Sequence, residues 1–147
     1  LEGMGTTAVV VFVKGNEVVI AHVGDSRAYL AGDEFIQLTR DHSVVQTLVE
    51  SGKISPEDAK THPDKNVITR AIGAEAAVVV DIDTISIKQG ETLLLCTDGL
   101  TGYVEREEIF RVLKEEIGNN TADKLIELAN AGGGGDNITV VTLTTDC

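Results

Sequence analysis

Three aspartates share one local design: an apolar, β-prone run empties into a turn in which Asp sits close to Gly. They are Asp25 in His22-Val23-Gly24-Asp25-Ser26-Arg27, Asp98 in Leu95-Cys96-Thr97-Asp98-Gly99-Leu100, and Asp136 in Gly134-Gly135-Asp136-Asn137-Ile138. Asp and Gly are depleted inside strands, so each marks where a strand starts or stops. A carboxylate held at a rigid strand end suits a hard divalent cation, which takes oxygen ligands. Neighbouring glycines let backbone and water approach closely. Any one of these turns is also what an ordinary loop looks like. Three together, on strands that could share a sheet edge, point to a carboxylate-rich metal site.

Other reactive side chains form no comparable pattern. Cys96 ends an apolar run and reads as a buried free thiol, Cys147 is the last residue, and no Cys/His spacing suggests zinc or a disulfide framework. His22, His42 and His62 have no second His or Cys at ligand spacing and read as structural. Arg27, Arg40 and Arg70 are expected to hold carboxylates or backbone rather than phosphate. Thr6 and Thr7 read as a β-branched strand pair. Glu105, Glu107 and Glu108 belong to a helix first turn, where they complement the macrodipole.

The elements that must position the aspartates are legible in outline. Thr7 to Val13 and Val18 to Val23 flank Lys14-Gly15-Asn16 and predict a hairpin. A third strand is expected over Arg27 to Leu30, turning at Gly32-Asp33 toward Phe35-Ile36. Ser43 or Asp41 caps a short helix to Glu50, and Ser55-Pro56-Glu57-Asp58 starts another. Thr61 to Gly73 reads as an irregular loop. Val78, Val80 and Ile82 alternate with Val79, Asp81 and Asp83 as a half-buried strand would, and Leu93 to Cys96 reads as a central strand covered on both faces. Ile109, Val112, Leu113 and Ile117 share one helix face; Ala122, Leu125, Ile126 and Ala129 share another, with Thr121 as its cap. Ile138 to Leu143 closes the chain as a strand. With no regular βαβ repeat, the order predicts a mainly antiparallel α+β fold.

Composition narrows the partners. The 147 residues suffice for one compact domain. Aromatics are only 3% with no Trp, so packing must rely on Val, Ile, Leu and Ala. Twelve basic against twenty-four acidic residues give a net charge of −12, which opposes nucleic acid and anionic membrane and favours cations. No apolar stretch approaches the roughly 18 residues of a membrane span and no signal-peptide pattern is present, so a cytoplasmic setting is expected.

Seven segments occur in a telling order: Gly3-Met4-Gly5-Thr6-Thr7-Ala8, Val23-Gly24-Asp25-Ser26-Arg27, Leu38-Thr39-Arg40-Asp41-His42-Ser43, His62-Pro63, Thr69-Arg70-Ala71-Ile72-Gly73, Thr97-Asp98-Gly99-Leu100 and Gly135-Asp136-Asn137. This series resembles the motifs of bacterial protein phosphatase 2C enzymes over nearly the whole chain. The resemblance implies part of an αββα sandwich, two antiparallel sheets flanked by helices. It implies a protein serine/threonine phosphatase, a hydrolase in which a Mn²⁺ or Mg²⁺ pair activates the attacking water, so no side chain serves as nucleophile. Asp98 and Asp136 are then ligands of that pair, and Asp25 with Asp98 resembles a third, weaker site. Asn137 and Gly99 support the ligands, and His62-Pro63 falls in the mobile flap that shapes substrate access. Expected partners are phosphorylated proteins, substrates of a Ser/Thr kinase.

The family also carries an acidic N-terminal segment and an Asp-Gly-x-Gly-Gly strand end whose aspartate bridges both metals. Neither occurs in this chain. Residues 1–147 are therefore expected to be a single incomplete catalytic domain lacking its N-terminal motifs, inactive alone, with apolar surface left open to self-association. The rival readings are a non-catalytic phosphatase-like regulatory or binding module and a plain divalent-cation-binding protein.

Overall fold

The computed structural model describes residues 3–115 and 120–145; Ile117 and Cys147 lie outside them. The predicted hairpin is β1 (Ala8–Lys14) and β2 (Glu17–Val23), paired antiparallel from Ala8 opposite Val23 to Lys14 opposite Glu17. Gly15 makes the turn at φ +61°, a conformation that favours glycine. Next come β3 (Arg27–Ala31) and β4 (Phe35–Gln37), then helices α1 (Val44–Glu50) and α2 (Pro56–Thr61). The Ser43 side chain caps α1 by accepting from the Gln46 N–H, and Ser55 with Asp58 forms a complete capping box on α2. β5 (Asp81–Ser86), β6 (Thr92–Cys96), the one-turn helix α3 (Asp98–Thr101), α4 (Arg106–Glu115), α5 (Thr121–Ala131) and β7 (Val140–Thr144) complete the chain.

All strand pairs are antiparallel and form two sheets, β1-β2-β5 and β4-β3-β6-β7. Alternation along β6 explains its unbroken apolar run. Leu93 packs with Val18, Ile20, Ala28 and Ile87 between the sheets, while Leu94 and Cys96 face a second core with Leu100, Ile109, Val112, Leu113, Leu125 and Ala129 from α3, α4 and α5. Both faces of β6 are therefore covered. The result is a helix–sheet–sheet stack, α+β and part of an αββα sandwich. On the open face of the first sheet, Val10 (58%), Phe12 (63%) and Ile82 (65%) remain exposed.

Two expectations need correction. The strand expected from Val78 starts at Asp81, and its faces are reversed. Ile82 looks outward while Asp81, opposite His22, meets polar partners at the strand end, so ion pairing, not apolar alternation, sets the orientation. Thr121 is the first residue of α5; the cap is Asn120. The stretch over Thr61 to Gly73 is irregular after α2 but not loose: Ser43 bridges Ile68, and Thr6 exchanges two backbone hydrogen bonds with Ile72.

Candidate metal centre

β3 and β6 run antiparallel with Arg27 opposite Cys96, and β6 and β7 with Cys96 opposite Val140. Residues just before β3, just after β6 and just before β7 therefore share one end of the sheet. Those are the positions of Asp25, Asp98 and Asp136.

Two of the turns are laced together. The Thr97 hydroxyl donates to the Asn137 carbonyl (3.2 Å) and accepts from the Thr139 N–H (3.1 Å). The Asn137 N–H donates to Asp136 Oδ1 at 2.7 Å, so Asn137 engages Asp136 through its backbone. A Cβ at Gly99 would lie 2.2 Å from the Asn137 carbonyl oxygen. Glycine at 99 is what lets the Asp98 turn and the Asp136 loop touch.

Asp25 is half-buried, whereas Asp98 and Asp136 are exposed. Burial, reinforced by the Asp98 carboxylate, pushes the Asp25 carboxyl above its usual range. Among the described residues no basic side chain forms an ion pair with Asp25, Asp98 or Asp136. Carboxylates at one sheet end without an ion-pairing partner fit a hard divalent cation, and Asp25 and Asp98 are near enough for their charges to interact.

The three arginines instead hold carboxylates, as expected. Arg27 grips both oxygens of Asp41 at 2.6–3.0 Å and donates to the Tyr29 hydroxyl. Burial alone would lower the Arg27 pKa, but hydrogen bonding to Asp41 more than reverses this. Arg40 pairs with Glu50, and Arg70 with Asp81 at 2.7 Å. His62 caps α2, and its Nδ1 accepts the Asp64 N–H at 3.1 Å; Pro63 is exposed beside it. No described contact joins either to the aspartates. Burial pushes the Cys96 thiol up to about 12, so it is a packing residue and not a nucleophile.

The sequence reading missed a polar knot. Among the described residues, the trio whose candidate ligand atoms all lie within 4.8 Å of one another is not the aspartates but His22, His42 and Asp81. The two rings stack at 4.7 Å, and the His42 N–H with the Arg70 guanidinium holds Asp81 down at about 2. These residues are 39 positions apart at the widest bond, a separation no local spacing reveals. Asp81 facing inward within an apolar alternation was the one available signal.

Comparison with known proteins identifies the family. The family model "Protein phosphatase 2C" matches residues 2–138, and the chain belongs to that family. It is 47% identical over 148 residues to the serine/threonine phosphatase stp of Listeria monocytogenes, covering 99% of this chain and 59% of that protein. The crystal structure of the Mycobacterium tuberculosis serine/threonine phosphatase PstP/Ppp matches at a TM-score of 0.94 and 42% identity, covering all of this chain and 63% of that one. The catalytic domain of the phosphatase PstP in complex with two manganese ions matches at 0.85 and 41%, covering 99% and 61%. The chain thus spans about three fifths of the length of these relatives. No helix among the described residues is long and apolar enough to cross a membrane.

Proposed function

We propose that this chain is the portion of a protein serine/threonine phosphatase that carries Asp25, Asp98 and Asp136, and that it acts on phosphoserine and phosphothreonine in substrates of a Ser/Thr kinase. The observation that supports the reading is the pairing of β3, β6 and β7, which brings the turns of Asp25, Asp98 and Asp136 to one sheet end, with no ion pair to any of the three among the described residues. Asp98 and Asp136 would hold a Mn²⁺ or Mg²⁺ pair, and Asp25 with Asp98 a third, weaker ion. Bound there, such ions supply hydroxide near neutral pH and offset charge on the phosphoryl oxygens. The chain's own residues hold the ligands still. Thr97 and Gly99 keep the Asp98 turn against the Asp136 loop, and the Asn137 N–H orients the Asp136 carboxylate.

Two aspartates alone leave an ion pair without its bridging carboxylate, and no Asp-Gly-x-Gly-Gly segment occurs in this chain. The isolated chain is therefore proposed to be inactive and completed by the region that its relatives have and it lacks. His62 and Pro63 would shape substrate access from the loop after α2. A cytoplasmic location goes with kinase-modified substrates.

The test is Mn²⁺-dependent hydrolysis of a phosphothreonine peptide by the chain alone and by the chain mixed with the parent's preceding residues. Activity only in the mixture, abolished by Asp98→Asn or Asp136→Asn, supports the proposal. Turnover by the chain alone contradicts the need for a bridge. Silence of a demonstrably associated pair favours the non-catalytic module.

A further inference from the structure

Gly24 is gripped at both ends of its backbone by one residue. Its N–H donates to His42 Nδ1 at 3.0 Å, and its carbonyl accepts from the His42 N–H at 2.9 Å. That carbonyl belongs to the peptide linking Gly24 to Asp25, so its orientation helps set where the Asp25 side chain starts. Gly24 has little other freedom. Its φ is +105°, and a Cβ there would lie 2.3 Å from Thr7 Cγ2.

The His42 ring is itself held in one state. It is 1% exposed and stacked on His22, whose Nε2 bonds the Arg40 carbonyl at 2.8 Å. Because Nδ1 accepts from Gly24, the ring proton sits on Nε2, which faces Asp81 Oδ2 at 3.0 Å. Arg70 Nη1 lies 2.7 Å from Asp81 Oδ1 and 3.1 Å from His42 Nε2. A guanidinium can only donate, so its bond is to Asp81, and Asp81 with Arg70 fixes the tautomer that keeps Nδ1 open for Gly24.

A cation bound by His22, His42 and Asp81 is the competing reading of this cluster. It would displace the Gly24 or Asp81 bond of His42, and Arg70 already supplies the positive charge Asp81 needs. We infer that His42 is a positioning residue for Asp25: its Nδ1, in a tautomer set by Asp81 and Arg70, holds the N–H of the Val23–Gly24 peptide, while its backbone N–H holds the carbonyl of the Gly24–Asp25 peptide. The inference rests on the reading of Asp25 as a cation ligand.

Two observables on the full chain test it: exchange of the Gly24 amide, and Mn²⁺ affinity read from paramagnetic broadening of the Asp25 amide. His42→Leu is expected to speed Gly24 exchange and weaken Mn²⁺ binding, each by about tenfold, the size of one lost buried hydrogen bond. His42→Asn, which keeps an acceptor near the Nδ1 position, should restore part of both. Asp81→Ala, at a half-exposed position, frees the tautomer and should speed Gly24 exchange even if His42→Leu does not fold. Unchanged Gly24 exchange in folded Asp81→Ala, or equal loss in His42→Leu and His42→Asn, overturns the inference. Asp25→Asn separates the two layers. If it leaves Mn²⁺ broadening intact, the ligand reading fails; if it abolishes broadening while the His42 variants bind as wild type, only the positioning role fails.

Discussion

Gly99→Ala should damage the centre through backbone contact alone. The new Cβ would meet the Asn137 carbonyl oxygen at 2.2 Å, its carbon at 2.8 Å and Ile138 Cα at 3.3 Å. Ordinary contact begins near 3.4 Å, so the Asp98 turn and the Asp136 loop must separate by about 1.2 Å, the difference between 3.4 and 2.2. Overpacking of this kind costs about 1–3 kcal/mol, of which up to about 1 kcal/mol is offset by replacing a helical glycine with alanine. A net loss of about 1–2 kcal/mol lowers the melting temperature of a chain this size by roughly 2–8 °C. Because the displaced loop carries Asp136, Mn²⁺ affinity should fall by about tenfold or more. Gly135→Ala is the matched control. Its Cβ meets only the Tyr103 side chain, the hydroxyl at 2.4 Å and Cζ at 3.3 Å, on a residue that is 38% exposed and can swing away, so it should cost less than about 0.5 kcal/mol. Thermal melts and Mn²⁺ titrations of the two variants decide the matter. A Gly99→Ala protein that melts and binds like Gly135→Ala refutes the reasoning.

Three further outcomes follow from the same geometry. The Asp25 carboxyl is raised by burial and Asp98, so its charged form opposes folding as pH rises through that pKa; Asp25→Asn should therefore melt higher than wild type in chelator at pH 7 and lose its stabilisation by Mn²⁺. Asp81 is held at about 2 by His42 and Arg70, so its contribution is present above the unfolded value near 3.8 and lost as pH falls toward 2. After solvent screening, the urea-stability gap between wild type and Asp81→Asn should be about 1 kcal/mol at pH 5 and shrink by pH 2. Val10, Ala21 and Ile82 stand in one cross-strand row beside Phe12, Val19 and Thr84, an apolar face that should drive self-association detectable by sedimentation and weakened by Phe12→Lys.

Local chemistry made most of the fold legible. Gly15 between two β-rich runs, Ser43 before α1, the Ser55-Pro56-Asp58 box and the unbroken Leu93–Cys96 run each act within a few residues, and each element formed where it was expected. Asp25, Asp98 and Asp136 were legible as strand-end carboxylates for the same reason. What spacing could not show was their common sheet end, which depends on the pairing of β3, β6 and β7. The faces of β5 were misread because Val78, Val80 and Ile82 mimic a buried stripe, while Asp81 is turned inward by His42 and Arg70 from distant segments. Thr97 was likewise unremarkable until its hydroxyl was seen to join two loops.

The central claim, that three separated aspartates form one cation-binding centre, is tested most directly by adding Mn²⁺ to the ¹⁵N-labelled chain and following amide broadening residue by residue. The account predicts that residues 24–26, 97–99 and 136–138 broaden together at the lowest Mn²⁺ and that Asp98→Asn removes the effect at all three. Broadening centred instead on His22, His42 and Asp81, or on the acidic start of α4, would contradict it.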